Sequence, residues 1–534
     1  MTAQSSEKSP VSENEGKWKI LPYDSQIEAV HMALLHTGKV LYYSGNREYE
    51  GIATETRLWT PTTGAIKKID TPDDMFCAGH SFLPDGRLLS TGGTLETRSP
   101  IPTWLARLAR PILGGIAIIG QRIFGAKNIT VMTGHTILYL FDPSAETWTR
   151  AGDMKGGRWY PTDTTLPNGQ ILILSGRDEA GGIGSTKEPK INMRVEIFDV
   201  TKGVKQVACI PKMDGNGEHH GFPSLYPRMH VLPLTSDNEK KKYPAGKAFC
   251  SGYGPKTKML NLANWKWEDV GRLTGGLRHD GCSVLLPLRP TKYRAEILTC
   301  GGSNEETSEN AKGKKSAEKI DFGADTPAWE AIADMRDGRI HAGSVILPDG
   351  KILIVGGNST GMFSKPVNTV ELFDPTNKEY PWRKVADTKV PRGYHTTTIL
   401  LPDGRVLLSG TTPWGKPELR MEIYSPYYLF KGKRPRIKYV HPSISYDTPF
   451  TIEYSVEAGS IKSVVLIRPG AMTHAFDMDQ RYIELEIIRN DVSGEMTVMS
   501  PKKDTHVAPP GYYMLFLLTD TGIPSEATFL HLPI

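Results

Sequence analysis

Cysteine is scarce in this chain, with five residues among 534: Cys77, Cys209, Cys250, Cys282 and Cys300. An odd, thin count excludes a dense disulfide framework, and Cys250, Cys282 and Cys300, inside apolar runs, read as buried small hydrophobes. Charge of one sign is lacking too: 64 basic residues face 59 acidic ones, the net charge is +5, and the basic residues are scattered. Nucleic-acid binding needs a basic stripe or patch and is not expected. The opening MTAQSSEKSPVSENEGKW has no apolar core, so residues 1–20 are expected to be disordered. The same stretch predicts either a cytoplasmic protein or a leader already removed. Long hydrophobic runs are also missing. The longest candidate, Pro111–Gly120, is too short to span a bilayer and carries two adjacent glycines. It lies in an insertion over residues 95–129, where Arg107, Arg110 and Arg122 flank apolar side chains. A packed lid or a dimer contact is the first reading of that insertion, and a peripheral membrane contact the alternative.

What the chain has is a repeat. Seven times an apolar strand, a tight turn and a second apolar strand run into small residues. The clearest copies are CAGHSFLPDGRLLSTGG from Cys77, RWYPTDTTLPNGQILILSG from Arg158, RIHAGSVILPDGKILIVGG from Arg339 and RGYHTTTILLPDGRVLLSG from Arg392. A second phrase follows each, such as LYLFDP at Leu138, VEIFDV at Val195, VELFDP at Val370 and MEIYSP at Met421. A fixed-order repeat with Asp-Gly or Asn-Gly turns predicts an all-β, seven-bladed kelch-like propeller, here over residues 21–432. From about Pro435 short β-rich runs succeed one another, and residues 433–534 are expected to form an immunoglobulin-like β-sandwich.

The proline of each LPDG-type turn sets a common register. Seven residues before it stand Cys77, Tyr160, Asp280, His341 and His395 in their respective repeats. First strands of a propeller line its axis, so these positions predict a ring at one end of the channel. A structural ring would hold small or β-branched residues rather than these. Arg158, Arg278 and Arg339 stand nine residues before their prolines but Arg392 stands ten before Pro402. The extra residue predicts a β-bulge at Gly393-Tyr394-His395 that aims both rings at one point. Nitrogen and oxygen donors in a small, nearly planar set favour Cu(II) over a tetrahedral zinc site.

These motifs, with IRPGAMTHAFDMDQR at His474, make the chain resemble the radical copper oxidases of the galactose oxidase and glyoxal oxidase family, nearer the glyoxal oxidase branch. The resemblance implies one copper ion held by Tyr160, Tyr394, His395 and His474. It implies a thioether joining Cys77 to the Tyr160 ring, a radical on that cofactor, and Tyr394 as catalytic base. It also implies a C-terminal loop that carries His474 into the channel. The activity implied is oxidation of small aldehydes to carboxylic acids, with dioxygen reduced to hydrogen peroxide. Primary alcohols or carbohydrates are the alternative substrates, and known members are exported. This chain departs from the galactose oxidase branch in having no tryptophan soon after Tyr160. Phe222, Tyr226, Tyr253 and Trp265 are the candidates for the aromatic that shields the cross-link.

Other residues read more quietly. His341, Asp280 and His80 are candidates for substrate contact or for hydrogen bonds behind the metal ligands. The loop pair His219 and His220 reads as solvated, His506 as structural, and Asp142, Trp148 and Asp374 as residues that close blades and turns. The competing function is a non-catalytic kelch-type propeller that binds a protein on its loop face.

Overall fold

The computed structural model describes residues 10–45, 54–99, 129–179, 190–210, 224–252, 254–305, 310–411, 417–491 and 494–534. Each repeat builds an antiparallel sheet around four strands, mostly neighbours in chain order; in repeat one the sheet gains two more, Ala471–Thr473 and Phe476–Asp477. The LPDG turns act as read from the sequence. The Leu83 N–H donates to the Arg87 carbonyl at 2.8 Å and Asp85 accepts the Arg87 N–H at 3.1 Å, with the same pattern at Leu401, Arg405 and Asp403. The first strands are Gly79–Phe82, Thr162–Thr165, Cys282–Leu285, Gly343–Ile346 and Thr397–Leu400, and every residue in them is buried. They stand side by side: Thr397–Leu400 lies between His31–Leu34 of repeat one and Gly343–Ile346, and Thr162–Thr165 lies between Gly79–Phe82 and Met229–Leu232.

Four of the sheets share an internal brace. Arg158 pairs with Glu196 at 2.7 Å, Arg278 with Glu318 at 2.7 Å, Arg339 with Glu371 at 2.7 Å and Arg392 with Glu422 at 3.6 Å, all buried. Each arginine opens a repeat and each glutamate is the second residue of the phrase that follows it. A buried ion holds its place only when it is paired and hydrogen-bonded, and each glutamate also accepts a backbone N–H, from Lys155, Thr274, Arg336 and Lys389 respectively.

The N-terminal segment departs from expectation. A helix covers Pro10–Glu15 and a strand covers Lys17–Asp24, where residues 1–20 were expected to be disordered. The strand pairs antiparallel with Arg420–Ser425, supplying the fourth strand of repeat seven. Polar composition misleads here because an outer strand buries only part of one face. Trp18 alone is fully buried in that strand's first half. In repeat two the strand Ile129–Asp142 overruns its sheet, and Ile129–Gly134 pairs with Thr94–Ser99 as a separate ribbon. Most of the 95–129 insertion lies outside the described residues, as do His219, His220, Phe222 and Tyr253. Among the described residues no helix is long and apolar enough to cross a membrane.

Beyond Arg436 two four-stranded sheets form, Arg436–Val440 with Pro449–Ser455, Glu495–Met499 and Ile487–Asn490, and Arg481–Leu485 with Ile461–Arg468, Gly511–Thr519 and Thr528–Leu532. Ile452, Val498, Val464, Leu466, Leu515 and Leu517 fill the space between them. One hairpin leaves this unit. Ala471–Thr473 pairs antiparallel with His31–Leu34, so the chain from Arg468 to Arg481 runs along the inner strand of repeat one.

Candidate metal centre

The register positions do come together, but in turns rather than in strands. Cys77, Tyr160, Asp280, His341 and His395 each stand two residues ahead of their strand, and all have positive φ, between 55° and 66°. Tyr226, seven residues before Pro233 in repeat four, joins them with φ 46°. Met75–Ala78, Arg278–Gly281 and Gly393–Thr396 are closed turns whose third residue is the register residue. A left-handed third position is usually given to glycine, and other side chains held there cost on the order of 1–3 kcal/mol. That cost is repeated in six repeats, and strain of this kind gathers where a side chain must be aimed. Backbone hydrogen bonds chain the turns together: Tyr160 donates to Cys77, Tyr226 to Tyr160 and His341 to Asp280, each at 2.9 Å.

The expected bulge at Gly393-Tyr394-His395 is replaced by this turn. The extra residue of repeat seven is absorbed between Arg392 and His395, where Thr396 N–H returns to the Gly393 carbonyl at 3.2 Å. Gly393 is required there, since a Cβ would come within 2.4 Å of the Asn358 side chain. The result matches the purpose assigned to the bulge: the Tyr394 and His395 rings face each other with centroids 3.8 Å apart. Alternation along a strand does not apply inside a turn, which is why the sequence places the residues correctly and the backbone incorrectly.

His474 arrives from the opposite direction. It is the first residue of the tip between Ala471–Thr473 and Phe476–Asp477, with φ 45°, and it is buried. Its ring lies 4.8 Å from that of His395, 4.8 Å from Tyr160 and 5.5 Å from Tyr394. The Tyr160 and Tyr394 hydroxyls are hydrogen-bonded at 2.6 Å, and the Cys77 thiol lies 3.6 Å from His474 Nε2 while also reaching the Tyr160 phenol. Two phenols, two imidazoles and one thiol therefore converge. Among the described residues no three His, Cys, Asp or Glu are so placed that they could hold a metal ion by themselves. Two of the five converging side chains are phenols.

Burial decides the charge state. It pushes the Cys77 thiol and the Tyr160 phenol well above their usual values, with the neighbouring thiol and the Tyr394 phenol adding to the effect on Tyr160. Burial, then the neighbouring His395 and His31, holds His474 well below the ordinary imidazole range. In the protein alone burial thus favours the neutral forms of the Cys77 thiol, the Tyr160 phenol and the His474 imidazole. A dication would reverse the balance for the Tyr160 phenol and find the His474 imidazole already deprotonated.

The remaining candidates separate. The His341 ring packs edge-on against Tyr394 at 4.8 Å, and its Nε2 is 3.7 Å from the Asp280 carboxylate. Both border the site. His80 does not reach the donor set; it is fully buried, edge-on to His31 at 5.2 Å, with its pKa lowered by burial to about 3. Trp265 packs in the core between repeats three and four, away from the centre. Tyr226 meets Tyr160 edge-on at 4.9 Å with its hydroxyl donated to the Ala78 carbonyl, and Trp159, which sequence reasoning passed over, meets the same ring at 4.3 Å. The signal was available, because Trp159 precedes the ligand candidate rather than following it. His506 caps a short helix in the sandwich, and Asp142 and Asp374 each accept a turn N–H.

Known proteins resemble this chain over most of its length. Residues 270–428 match the glyoxal oxidase N-terminus family model, and residues 434–532 match the galactose oxidase-like early set domain. Aldehyde oxidase GLOX of Vitis pseudoreticulata is 29% identical over 503 residues, covering 88% of this chain and 84% of that protein. Aldehyde oxidase GLOX1 of Arabidopsis thaliana is 25% identical, covering 97% and 84%. A galactose oxidase of Gibberella zeae is 26% identical, covering 92% and 67%. A fungal alcohol oxidase solved in complex with copper superposes with a TM-score of 0.75 at 23% identity, over 98% of this chain and 100% of that one, which establishes the fold. With both domain models matched in order along one chain, the protein is similar in both parts to the galactose oxidases and glyoxal oxidases.

Proposed function

We propose that this protein is a mononuclear copper radical oxidase that converts small aldehydes to carboxylic acids and reduces dioxygen to hydrogen peroxide. The observation that carries the reading is the convergence of Tyr160, Tyr394, His395 and His474, with Cys77 against Tyr160. These four residues would hold the metal, and their two phenol oxygens and two imidazole rings are donors that suit Cu(II). When bound, copper supplies one-electron redox chemistry and, paired with a radical on a Cys77–Tyr160 thioether, allows two electrons to leave one substrate. The five residues give the pocket a use that a binding propeller does not have.

The chain's own groups then divide the work. Tyr394, as phenolate, takes the substrate proton; its oxygen already shares a hydrogen bond with Tyr160 in the protein. His395 and His474 hold their places through partners outside the pocket. Trp159 and Tyr226 flank the Tyr160 ring and keep water from it, the role for which a later tryptophan was sought. His341 and Asp280 border the open side, where they can hydrogen-bond the hydroxyls of a hydrated aldehyde. On this reading the propeller unit over residues 21–432, extended back to Lys17, supplies the cofactor and base, and residues 433–534 deliver His474.

Loading the protein with copper in air and mapping peptides by mass spectrometry tests the proposal. A Cys77–Tyr160 peptide pair lacking two hydrogens is expected, with peroxide formed faster from glyoxal than from galactose. Separate, unmodified peptides in a copper-loaded sample would sink the radical mechanism. Faster peroxide from galactose would move the substrate to the primary alcohols. Cys77→Ser should fold and bind copper yet lose most oxidase activity; full activity in that variant contradicts the thioether.

A further inference from the structure

Repeat one is the odd member of the ring. His36 stands where the other repeats have their turn proline, so its register residue is Ala29, whose methyl carries no chemistry. The residues on either side of Ala29 are nevertheless tied to the metal centre. Glu28 is completely buried and its Oε1 is 3.1 Å from His395 Nδ1. The Val30 carbonyl accepts the Thr473 hydroxyl at 3.0 Å, and that hydroxyl lies 2.6 Å from His474 Nδ1. His31 Nε2 accepts the Cys77 N–H at 3.1 Å.

Proton counting turns these contacts into tautomers. A hydroxyl has one proton, and Thr473 gives it to Val30, so the same oxygen accepts from His474 Nδ1–H. A carboxylate only accepts, so His395 Nδ1 carries a proton as well. Both imidazoles are then left with the lone pair on Nε2. On His474 that nitrogen is the one beside the Cys77 thiol. Histidines that bind metals commonly donate their other N–H to a carboxylate or carbonyl, which fixes both tautomer and ring angle.

Glu28 also stands apart from the other buried glutamates. Glu196, Glu318, Glu371 and Glu422 each brace an arginine of their own repeat. Glu28 lies outside the phrase that supplies them, and it reaches an imidazole of repeat seven.

We infer that Glu28 is a positioning residue for the metal centre: it accepts the Nδ1–H of His395 and so commits His395 Nε2 to the metal, as Thr473 does for His474. The inference rests on the copper reading above. It concerns the choice of nitrogen and the angle of the ring, and Glu28 itself touches neither metal nor substrate.

Cu(II) affinity measured by chelator competition, together with nitrogen-15 chemical shifts of the histidines in the metal-free protein, tests it. Glu28→Ala is expected to weaken Cu(II) binding 10- to 100-fold and to release His395 from the Nδ1–H form. Glu28→Gln keeps an oxygen acceptor without the charge, so it should fall between Glu28→Ala and the parent on both readouts. A merely structural role would lower the melting temperature of both variants without this ranking. Should Glu28→Ala fail to fold, Glu28→Gln carries the test alone, and unchanged affinity with an unchanged tautomer in it overturns the inference. His395→Ala separates the two readings. If it loses Cu(II) affinity while the Glu28 variants do not, the positioning role falls and the copper site stands. If His395→Ala and the Glu28 variants all bind Cu(II) as the parent does, the copper site falls with it.

Discussion

The segment from Arg468 to Arg481 runs along the inner strand of repeat one and meets buried polar groups at both ends, and the two ends are built on opposite principles. At the strand ends, Arg468 donates to Asp479 and to the Pro510 and Phe82 carbonyls, each at 3.0 Å, and Asp479 accepts from Phe82 N–H at 2.8 Å and from Ser81 at 3.0 Å. Arg481 adds bonds to the Val231 and His506 carbonyls. Every charge there has a partner of opposite character, so the cluster is a plug that docks the sandwich on the propeller. At the turn end, phenol meets phenol, and the His474 lone pair meets a weakly donating thiol. Those groups suit one another poorly and a metal ion well. Burial of polar residues is common to both ends; what distinguishes a site is donors and acceptors that become complementary only around a third party.

The sharpest break between the ends is catalytic. Tyr394→Phe removes the proposed base and should lower kcat by about 10²- to 10⁴-fold, the usual worth of a positioned proton acceptor. The melting temperature should barely move, because Tyr394 keeps its ring contacts with His395 and His341. Peroxide assays at saturating aldehyde and a thermal scan read the two quantities. Activity within tenfold of the parent would remove Tyr394 from the base role.

Arg468→Ala acts at the other end and should show the reverse profile. Removing one partner of a fully buried ion pair leaves the Asp479 carboxylate without its counter-charge, a loss of about 3–5 kcal/mol in unfolding free energy. Arg468→Met combined with Asp479→Leu should recover part of it. Denaturant titration measures both, and a single variant as stable as the parent would show that the pair is not what holds the plug. Copper affinity per folded molecule should be unchanged. If instead it falls with stability kept, the two ends are coupled and the division drawn above is too simple.

How far the site could be read in advance depended on what each residue answers to. Cys77, Tyr160, His341 and His395 were legible because the turn proline fixes a register that outlasts errors about the backbone. His474 was not readable from register at all, since no repeat contains it, and only the resemblance of THAFDMDQR to the family supplied it. The strand at Lys17–Asp24 was hidden because its partner, Arg420–Ser425, lies some four hundred residues away and no local periodicity announces such pairing. Glu28 and Thr473 were invisible for the same reason. Their meaning lies in a partner from another repeat, whereas the arginine–glutamate braces recur at fixed positions and could have been found by aligning the two phrases.

The smallest expected effect concerns a residue that belongs to neither end. His80 sits fully buried among His31 and Tyr43, and its ring nitrogens make no hydrogen bond of normal geometry. Burial lowers its pKa from 6.5 to about 3, so it is neutral in the folded protein at all but strongly acid pH. The unfolded chain binds a proton there below about pH 6.5 and the folded one does not. This site therefore draws stability down as pH falls from about 6.5 towards 3. Replacing it with an apolar ring of similar size removes both the unpaired nitrogens and the titration. His80→Phe should be neutral to about 1 kcal/mol more stable at pH 8, and more clearly stabilised at pH 5. Unfolding curves at the two pH values check the difference. A variant less stable at both, or one with reduced Cu(II) affinity, would show that the imidazole takes part in holding the centre after all.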